Sequence, residues 1–334
     1  MIRSGIVYAD SGMFAGWPAN HGAWQWGSEW LVGFLRGRYA RSSMHNIREP
    51  FEYCFARSLD DGLTWTVEPH GREFEAGVVT HSTPLFSMPQ TIRRVCGVYD
   101  HGGDECDPRG GFFLSYDRGR TWRGPFLFEG LEDQFNGKEL HCTARQAELP
   151  DDDLLFLTNA ERFSWGTDQI FVARYVAGRF TLLSRIDFGE GRAVCPAVAR
   201  IGGRIVVAAR RRKNGTRSGW IDVCHSDDGG ATWSKPRFVT STGSNNGNPP
   251  ALINADGALC CAYGDRDART ICARWSDDLG ATWGEPQVLA TSPVDRDLGY
   301  PRLLRRQDGV VIAIYYIATQ EHPQQHIAWS EVPR

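Results

Sequence analysis

One eight-residue pattern, S-x-D-x-G-x-T-W, occurs four times in this chain of 334 residues. The copies occupy residues 58–65, 115–122, 226–233 and 276–283. A signature that recurs at such intervals indicates a repeat architecture, in which each copy marks the same place in one structural unit. The middle interval is about twice as long as the other two, which predicts one further unit without the signature, near residues 171–180.

Each copy has the chemistry of a tight turn. The Asp carboxylate can accept backbone N–H groups, the Gly tolerates a positive φ, and the Thr hydroxyl can bond locally. The Trp that ends the pattern is expected to begin the next strand and to pack against the turn. We therefore expect each copy to form the corner between two antiparallel strands.

The segments between the copies have the composition of short strands. They are rich in Val, Ile, Ala and aromatic residues and are bounded by Gly and Asn-Gly turns, as in residues 193–200, 204–211 and 219–226. Four-stranded units of about 50 residues, arranged radially, make a β-propeller. The sequence thus predicts an all-β fold, a six-bladed β-propeller that occupies residues 1–334 as one domain, with residues 4–9 closing the last blade.

Composition restricts the partners and the compartment. The net charge of −3 and a pI near 6.3 give no support for binding to nucleic acid or to a membrane surface. No signal peptide is visible, so we expect a cytoplasmic protein. Nine cysteines without a C-x-x-C pair predict buried thiols rather than a zinc site. We expect no cofactor, and the sequence does not determine the oligomeric state. A metal held by histidines that converge in the fold is a further interpretation, without an H-x-H or H-x-x-x-H spacing in its favour.

The repeated octapeptide is the Asp box, and through it the chain resembles the sialidase (neuraminidase) superfamily of six-bladed propellers. The resemblance covers nearly the whole chain. It implies a site in the central cup, where loops lead into the innermost strands, and it implies an anionic sugar as substrate. Because a fold hosts many functions, the activity has to be argued from the residues of the site.

Three residues match functional positions of that superfamily. Arg210 follows the segment C-P-A-V at 195–198, and Arg266 follows Y-G-D at 263–265. Arg210 and either Arg266 or the nearby Arg269 resemble two of three arginines that grip the substrate carboxylate, and we select Arg266. The planar fork of a guanidinium binds a carboxylate through two parallel hydrogen bonds. Tyr300, in G-Y-P-R-L at 299–303, resembles the catalytic tyrosine that attacks the anomeric carbon.

Three other positions depart from the superfamily. G-W-P at 16–18 stands where sialidases have R-I-P, so the first arginine is missing. Cys195 stands at or beside the glutamate that activates the tyrosine. The loop S-S-M-H-N at 42–46 lies where the general-acid aspartate is expected, and we assign the acid/base role to His45 because an imidazole titrates near neutral pH.

The remaining candidates precede or begin the predicted innermost strands. As further catalytic residues we select His21 and His141. As further substrate-binding residues we select Trp17, Asn20, His81, Arg145, Asn248 and Arg302.

These residues predict a glycoside hydrolase that acts on an anionic saccharide of the uronic, ulosonic or sialic type. Tyr300 or an activated water would attack, and His45 would protonate the leaving oxygen. One alternative is a polysaccharide lyase, in which His and Tyr move protons while Arg and Asn neutralise a uronate. Another is a sugar-binding propeller without catalysis. The expected partner is in each case an acidic saccharide.

Overall fold

A computed structural model describes most of the chain. The described residues are 2–43, 45–69, 92–96, 111–131, 141–142, 147–148, 154–160, 169–176 and 178–334. Within them the protein is all-β, with one four-residue helix, α1 (Pro18–His21). No helix in this part of the chain is long and apolar enough to cross a membrane.

The described strands are numbered in chain order. Those of the first half are β1 (Ser4–Tyr8), β2 (Met13–Gly16), β3 (Ala23–Trp26), β4 (Glu29–Tyr39), β5 (Ile47–Ser58), β6 (Thr66–Pro69), β7 (Ile92–Cys96), β8 (Gly111–Ser115), β9 (Arg123–Leu127), β10 (His141–Cys142), β11 (Ala147–Glu148), β12 (Leu154–Ala160) and β13 (Gln169–Val176). Those of the second half are β14 (Arg179–Ile186), β15 (Arg192–Ile201), β16 (Arg204–Arg212), β17 (Gly219–Ser226), β18 (Arg237–Ser241), β19 (Ala251–Ala255), β20 (Ala258–Asp265), β21 (Thr270–Ser276), β22 (Gln287–Thr291), β23 (Gly299–Arg305), β24 (Val311–Ile317) and β25 (His326–Val332).

The strands form antiparallel sheets that follow one another along the chain. Sheet 1 is β2-β4-β5-β6 with β3 on β4, sheet 2 is β7-β8-β9, and sheet 3 is β10-β12-β13-β14 with β11 on β12. Sheet 4 is β15-β16-β17-β18, sheet 5 is β19-β20-β21-β22, and sheet 6 is β23-β24-β25-β1. The predicted closing strand is confirmed, because β1 pairs with β25 from Ser4↔Ser330 onwards.

Five of these sheets have the four or five strands of a propeller blade, whereas sheet 2 has three within the described residues. The structure therefore shows a β-propeller arrangement with five blades, and the predicted count of six is wrong for this part of the chain. The difference concerns sheet 2, where β7, β8 and β9 are the strands within the described residues. Two ranges lie outside the described residues, 70–91 before β7 and 97–110 between β7 and β8.

The apolar core consists of separate clusters, which lie between neighbouring sheets. Separate clusters join sheets 2 and 3, 3 and 4, 4 and 5, and 5 and 6. A larger cluster joins sheet 6 to sheet 1 and continues to sheet 2, with Trp30 and Phe34 fully buried in it. The strand β15 contacts β19, and β19 contacts β23, so the first strands of neighbouring sheets lie side by side. The loops that lead into these strands meet at one end of the arrangement.

All four octapeptides form the predicted corner, between the last two strands of the run β2-β4-β5-β6, β7-β8-β9, β15-β16-β17-β18 or β19-β20-β21-β22. In the copy at 226–233 the hydroxyl of Ser226 accepts the N–H of Gly230 at 2.8 Å, and Asp228 Oδ2 accepts the hydroxyl of Thr232 at 2.5 Å. Gly230 has φ 91°, as the turn requires. The unit without the signature is sheet 3, where a short turn at Gly178 joins β13 to β14. The prediction of a further unit without the signature near residues 171–180 is thereby confirmed.

Candidate functional site

The site is centred on Tyr300, which lies at the start of β23 and is only 3% exposed. Its backbone has φ 50°, a left-handed conformation that costs a non-glycine residue about 1–3 kcal/mol. A bulge between Gly299 and Arg302 interrupts the pairing with β24 at this point. The strained backbone fixes where the phenol ring enters the site.

Arg210 and Arg266 both reach Tyr300. Arg210, near the end of β16, donates from Nη1 to the Tyr300 hydroxyl at 3.1 Å, and from Nε and Nη2 to the carbonyl of Asn246 at 3.0 and 2.6 Å. Arg266, which follows β20, places its guanidinium carbon 5.8 Å from the centroid of the Tyr300 ring. The two arginines that were matched from sequence therefore meet at the matched tyrosine.

His45 lies on the other side of this cluster, with one fifth of its side chain exposed. Its Nδ1 is 3.0 Å from Oδ1 of Asp297, a carboxylate that is 5% exposed. The ring packs edge-on against Trp17, with centroids 5.0 Å apart. Trp17, which was selected for substrate binding, is fully buried and belongs to the apolar cluster between sheets 6 and 1.

Tyr316 connects the two halves of the site. Its hydroxyl donates to Asp297 Oδ1 at 2.5 Å and accepts from Arg266 Nη2 at 3.3 Å. Its ring lies 6.1 Å from that of Tyr300 and 6.0 Å from that of Trp17. A continuous polar network thus runs from His45 through Asp297 and Tyr316 to Arg266.

Burial and neighbouring charges shift the pKa of both Asp297 and Tyr316. Burial alone would raise the pKa of Asp297, but the hydrogen bond and charge of His45, together with Arg266 and Tyr316, lower it below its ordinary value. Burial and the neighbouring carboxylate of Asp297 raise the pKa of Tyr316 well above the usual value of a phenol. The network therefore holds an ionised Asp297 beside a neutral Tyr316.

Three residues in or next to the first strands of their sheets share an unusual backbone. Trp17, Cys195 and Tyr300 all have a positive φ, of 60°, 53° and 50°, and each precedes a proline. Proline disfavours helical conformations at the residue before it, so these positions are strained. Cys195 is buried and directly follows Val194, which pairs with Arg210. The strain occurs at the three positions where resemblance located the site.

Several candidates have other surroundings. Asn248 is fully buried; its amide donates to the carbonyl of Leu298 at 2.9 Å and accepts the N–H of Tyr300 at 2.8 Å, so it supports the tyrosine backbone. Arg302 donates to the carbonyl of Ala19 in α1 at 2.6 Å. Both polar atoms of the Asn20 amide are buried without a hydrogen-bond partner among the described residues.

The other histidines do not join the network in the part of the chain that is described. His21 is buried in α1, where its ring packs against Tyr53 at 5.5 Å. His141 belongs to β10, but its side chain lies outside the described residues, as do His81 and Arg145 altogether. No group of three His, Cys, Asp or Glu side chains that could hold a metal occurs in the described ranges.

Sequence reasoning missed Asp297, Tyr316 and the carbonyl of Asn246. Asp297 lies three residues before Tyr300, just outside the selected segment 299–303, and a carboxylate so close to the matched tyrosine was a usable signal. Tyr316 is the penultimate residue of a strand of seven buried residues, where its hydroxyl requires a partner. Which carbonyl Arg210 would meet could not be seen, because it depends on the path of a loop.

The interblade cores, the Asp-box corners and the polar network at the first strands define a sialidase-like β-propeller protein. The chain belongs to the family of BNR repeat-like domains, whose family model matches residues 98–313. A comparison of the sequence with curated proteins finds no match.

Solved structures with the same fold include proteins of known and of unknown function. A protein of unknown function from Dyadobacter fermentans DSM 18053 superposes with a TM-score of 0.73 at 18% identity, over 99% of this chain and 98% of that one. Trypanosoma rangeli sialidase gives a TM-score of 0.60 at 13% identity, over 98% of this chain and 59% of the sialidase. The Hadza microbial sialidase Hz136 also gives 0.60, at 16% identity, over 96% of this chain and 65% of that one. At these identities the likeness shows the fold, and the chain spans only about six tenths of each sialidase.

Proposed function

We propose that this protein is a glycoside hydrolase that acts on an anionic saccharide bound at Tyr300. The observation that carries the proposal is the pair of buried arginines on one strained tyrosine. Arg210 and Arg266 are 8% and 7% exposed. Neither the fold nor its relatives identify the sugar, so the argument rests on charge and geometry.

The charge of Arg210 is not balanced within the described residues. Its hydrogen bonds go to the neutral Asn246 carbonyl and the Tyr300 hydroxyl, and no described carboxylate forms an ion pair with it. Asp297 lies 3.7 Å from Arg266 and is shared with His45. Because an unpaired buried cation is costly, the site favours a ligand that brings a negative charge. A sugar carboxylate supplies that charge in the shape a guanidinium binds.

The catalytic roles follow from the same contacts. A cationic donor on the Tyr300 oxygen stabilises negative charge on the phenol, which favours Tyr300 as nucleophile or as the group that orients an attacking water. His45, paired with Asp297, acts as the general acid that protonates the leaving oxygen. The missing first arginine and Cys195 in place of glutamate favour a substrate other than a typical sialoside.

The ring of sheets supports a finer architecture. Apolar clusters join every sheet to the next and join sheet 6 to sheet 1. We propose that sheet 2 is part of a sixth blade, which places the Tyr300 site in the central cup of a six-bladed propeller.

The experiment is a screen of sialyl, uronyl and ulosonyl glycosides, with neutral glycosides of the same linkage as substrate controls. We expect release of reducing ends from an acidic glycoside only. Tyr300→Phe and His45→Ala should each lower kcat on the order of 10²–10⁴-fold, the usual contribution of an acid/base group. Tyr315→Phe is the matched control, because Tyr315 is an equally buried tyrosine that bonds Ser330 away from the site. Equal cleavage of neutral glycosides, or full activity of Tyr300→Phe, would contradict the proposal.

A lyase is the second candidate, favoured by one observation. Tyr300 and His45 are the two groups that exchange protons, and each contacts a charged side chain. The partner of Tyr300 is the cationic Arg210, and the partner of His45 is the anionic Asp297. Such a pair can remove and return protons beside a neutralised uronate. The same screen separates the two reactions, because a lyase product carries a conjugated, unsaturated uronate that absorbs in the ultraviolet. Affinity without turnover on every substrate would instead indicate a sugar-binding propeller.

A further inference from the structure

Asp297 is the most constrained carboxylate of the site. It lies in the loop between β22 and β23, where its own N–H donates to Asp295 Oδ1 at 2.9 Å and its carbonyl accepts Gln325 Nε2 at 3.3 Å. Side chains from three other parts of the chain approach its Oδ1, namely His45, Tyr316 and Arg266. The position of this oxygen is therefore fixed from several directions.

The arrangement around Asp297 is costly for a purely structural group. All three contacts go to Oδ1, while Oδ2 is buried without a hydrogen-bond partner among the described residues. An unsatisfied oxygen of a buried carboxylate lowers the stability of the folded state, and by more than an unsatisfied neutral group does. An apolar residue would avoid this cost, which indicates that the polar, charged group itself has a use.

The negative charge of Asp297 acts on the imidazole of His45, through the contact with Nδ1. Where an ionised carboxylate accepts a hydrogen bond from Nδ1, the neutral imidazole carries its proton on Nδ1 and its lone pair on Nε2. The edge of the ring rests against buried Trp17, which restricts its rotation. Both the tautomer and the orientation of His45 are thus set by residues outside the loop 42–46 that carries it.

We propose that Asp297 is a positioning residue, which fixes His45 as the Nδ1–H tautomer and stabilises its imidazolium, so that Nε2 exchanges the catalytic proton. This inference rests on the proposed hydrolase. In the first step the Nε2–H bond breaks, the proton goes to the glycosidic oxygen, and the C–O bond breaks with its electron pair left on that oxygen. In the second step water supplies hydroxide to the sugar and returns its proton to Nε2.

The asymmetry of Asp297 provides a selective test. In Asp297→Asn the amide oxygen is expected at Oδ1, where it still accepts from His45 and Tyr316, and the amide nitrogen at the unpartnered Oδ2. This variant removes the charge and keeps the hydrogen bond. Asp297→Ala removes both. Asp222→Asn is the matched control, because Asp222 is a buried carboxylate paired with Arg211 at 2.7 Å on β17, outside the network.

The first readout is the ¹⁵N spectrum of the His45 imidazole, which does not depend on activity. We expect the Nδ1–H tautomer in the wild type, in Asp297→Asn and in Asp222→Asn, and a mixture of tautomers in Asp297→Ala. The His45→Ala variant identifies the signals. An unchanged tautomer in Asp297→Ala would overturn the proposal, whatever the protein hydrolyses.

The second readout is the effect of the substitution on kcat and KM. Asp297→Asn removes the charge that faces the imidazolium, so kcat should drop on the order of 10²-fold with KM unchanged, whereas Asp222→Asn should keep both constants. A wild-type kcat in Asp297→Asn would overturn the positioning role. If the tautomer behaves as expected but no glycoside is cleaved, the hydrolase proposal fails and the coupling of the two residues stands.

Discussion

At the scale of single residues, the site depends on a tyrosine held in an unfavourable backbone conformation. Tyr300 adopts φ 50° before a proline, and the surrounding contacts have to stabilise this state. Asn248 provides two of them, since its amide bridges the carbonyl of Leu298 and the N–H of Tyr300 from the neighbouring sheet. The side chain of Asn248 lies so close to Gly299 that a Cβ on this glycine would be 2.2 Å from Asn248 Oδ1.

Replacement of Asn248 tests this support. Asn248→Ala should lower the free energy of unfolding by about 1–3 kcal/mol, because two buried backbone groups lose their partner. It should also lower kcat more than it raises KM, since Tyr300 then loses its fixed position. Urea denaturation and steady-state kinetics measure the two effects. Asn254→Ala is a suitable control, as the half-buried Asn254 also donates to a backbone carbonyl, that of Arg200, but in a solvent-exposed hydrogen bond outside the network. Equal effects of both substitutions on kcat would contradict this role of Asn248.

The candidate site could be predicted from sequence only where a residue type belongs to a motif. Tyr300, Arg210 and Arg266 were located because the segments around them resemble those of sialidases, and the structure brings the three together. Asp297 and Tyr316 were missed because their importance comes from partners distant in the chain. His45 and Asp297 are 252 positions apart, and only the closed fold makes them neighbours. Asn248 was selected for a role in sugar binding, whereas its observed contacts are to backbone.

At the scale of elements, the Asp box is a corner that the local sequence determines almost completely. The same four side-chain contacts recur in every copy, so the strands on either side could be placed without tertiary information. The sequence did not show that the residue before each box glycine, such as Asp61 or Leu279, also has a positive φ. It also did not show how many strands sheet 2 contributes, because no box-like signal marks the strands that precede a corner.

The box carboxylates predict a specific response to acid. Hydrogen bonds from the Thr hydroxyl and backbone lower the pKa of Asp228 and of Asp278 to about 2. A folded-state pKa below that of the unfolded chain, about 4, gives stability that is present above pH 4 and is lost as the pH falls through the folded value. We therefore expect the melting temperature to fall between about pH 4 and pH 2.

A double variant tests the origin of this effect. Thr232→Val with Thr282→Val removes the hydroxyl donors, which lie 2.5 and 2.6 Å from their carboxylates. The acid-induced decrease in melting temperature should become smaller, and calorimetry across this pH range measures it. Thr216→Val serves as control, because that exposed hydroxyl donates to a carbonyl instead. Identical acid slopes for the double variant and the wild type would show that the box hydroxyls do not cause the pKa shift.

At the scale of the whole molecule, the ends of the chain close the arrangement. The N-terminal strand β1 pairs with the C-terminal strand β25 and covers what would otherwise be an open edge. The largest apolar cluster spans this closure, and within it Arg306 stacks on Trp329 at 4.9 Å. The N-terminal strand that completes sheet 6 was predictable, because the repeat left the last unit one strand short.

Closure depends on the close fit of β1 against one aromatic ring. Gly5 lies opposite Trp329, and a Cβ at this position would come within 2.7 Å of the indole nitrogen. Gly5→Ala should therefore push β1 away from β25 and lower the free energy of unfolding by about 1–3 kcal/mol. Gly203→Ala is the matched control, since a Cβ there meets no atom within 4 Å, and its effect should stay within about 0.5 kcal/mol. Chemical denaturation of both variants distinguishes the displacement of β1 from β25 from the general effect of replacing a glycine by alanine. If the ends of the chain hold the ring together, only Gly5→Ala is destabilised, because a change in glycine entropy alone would affect both variants alike.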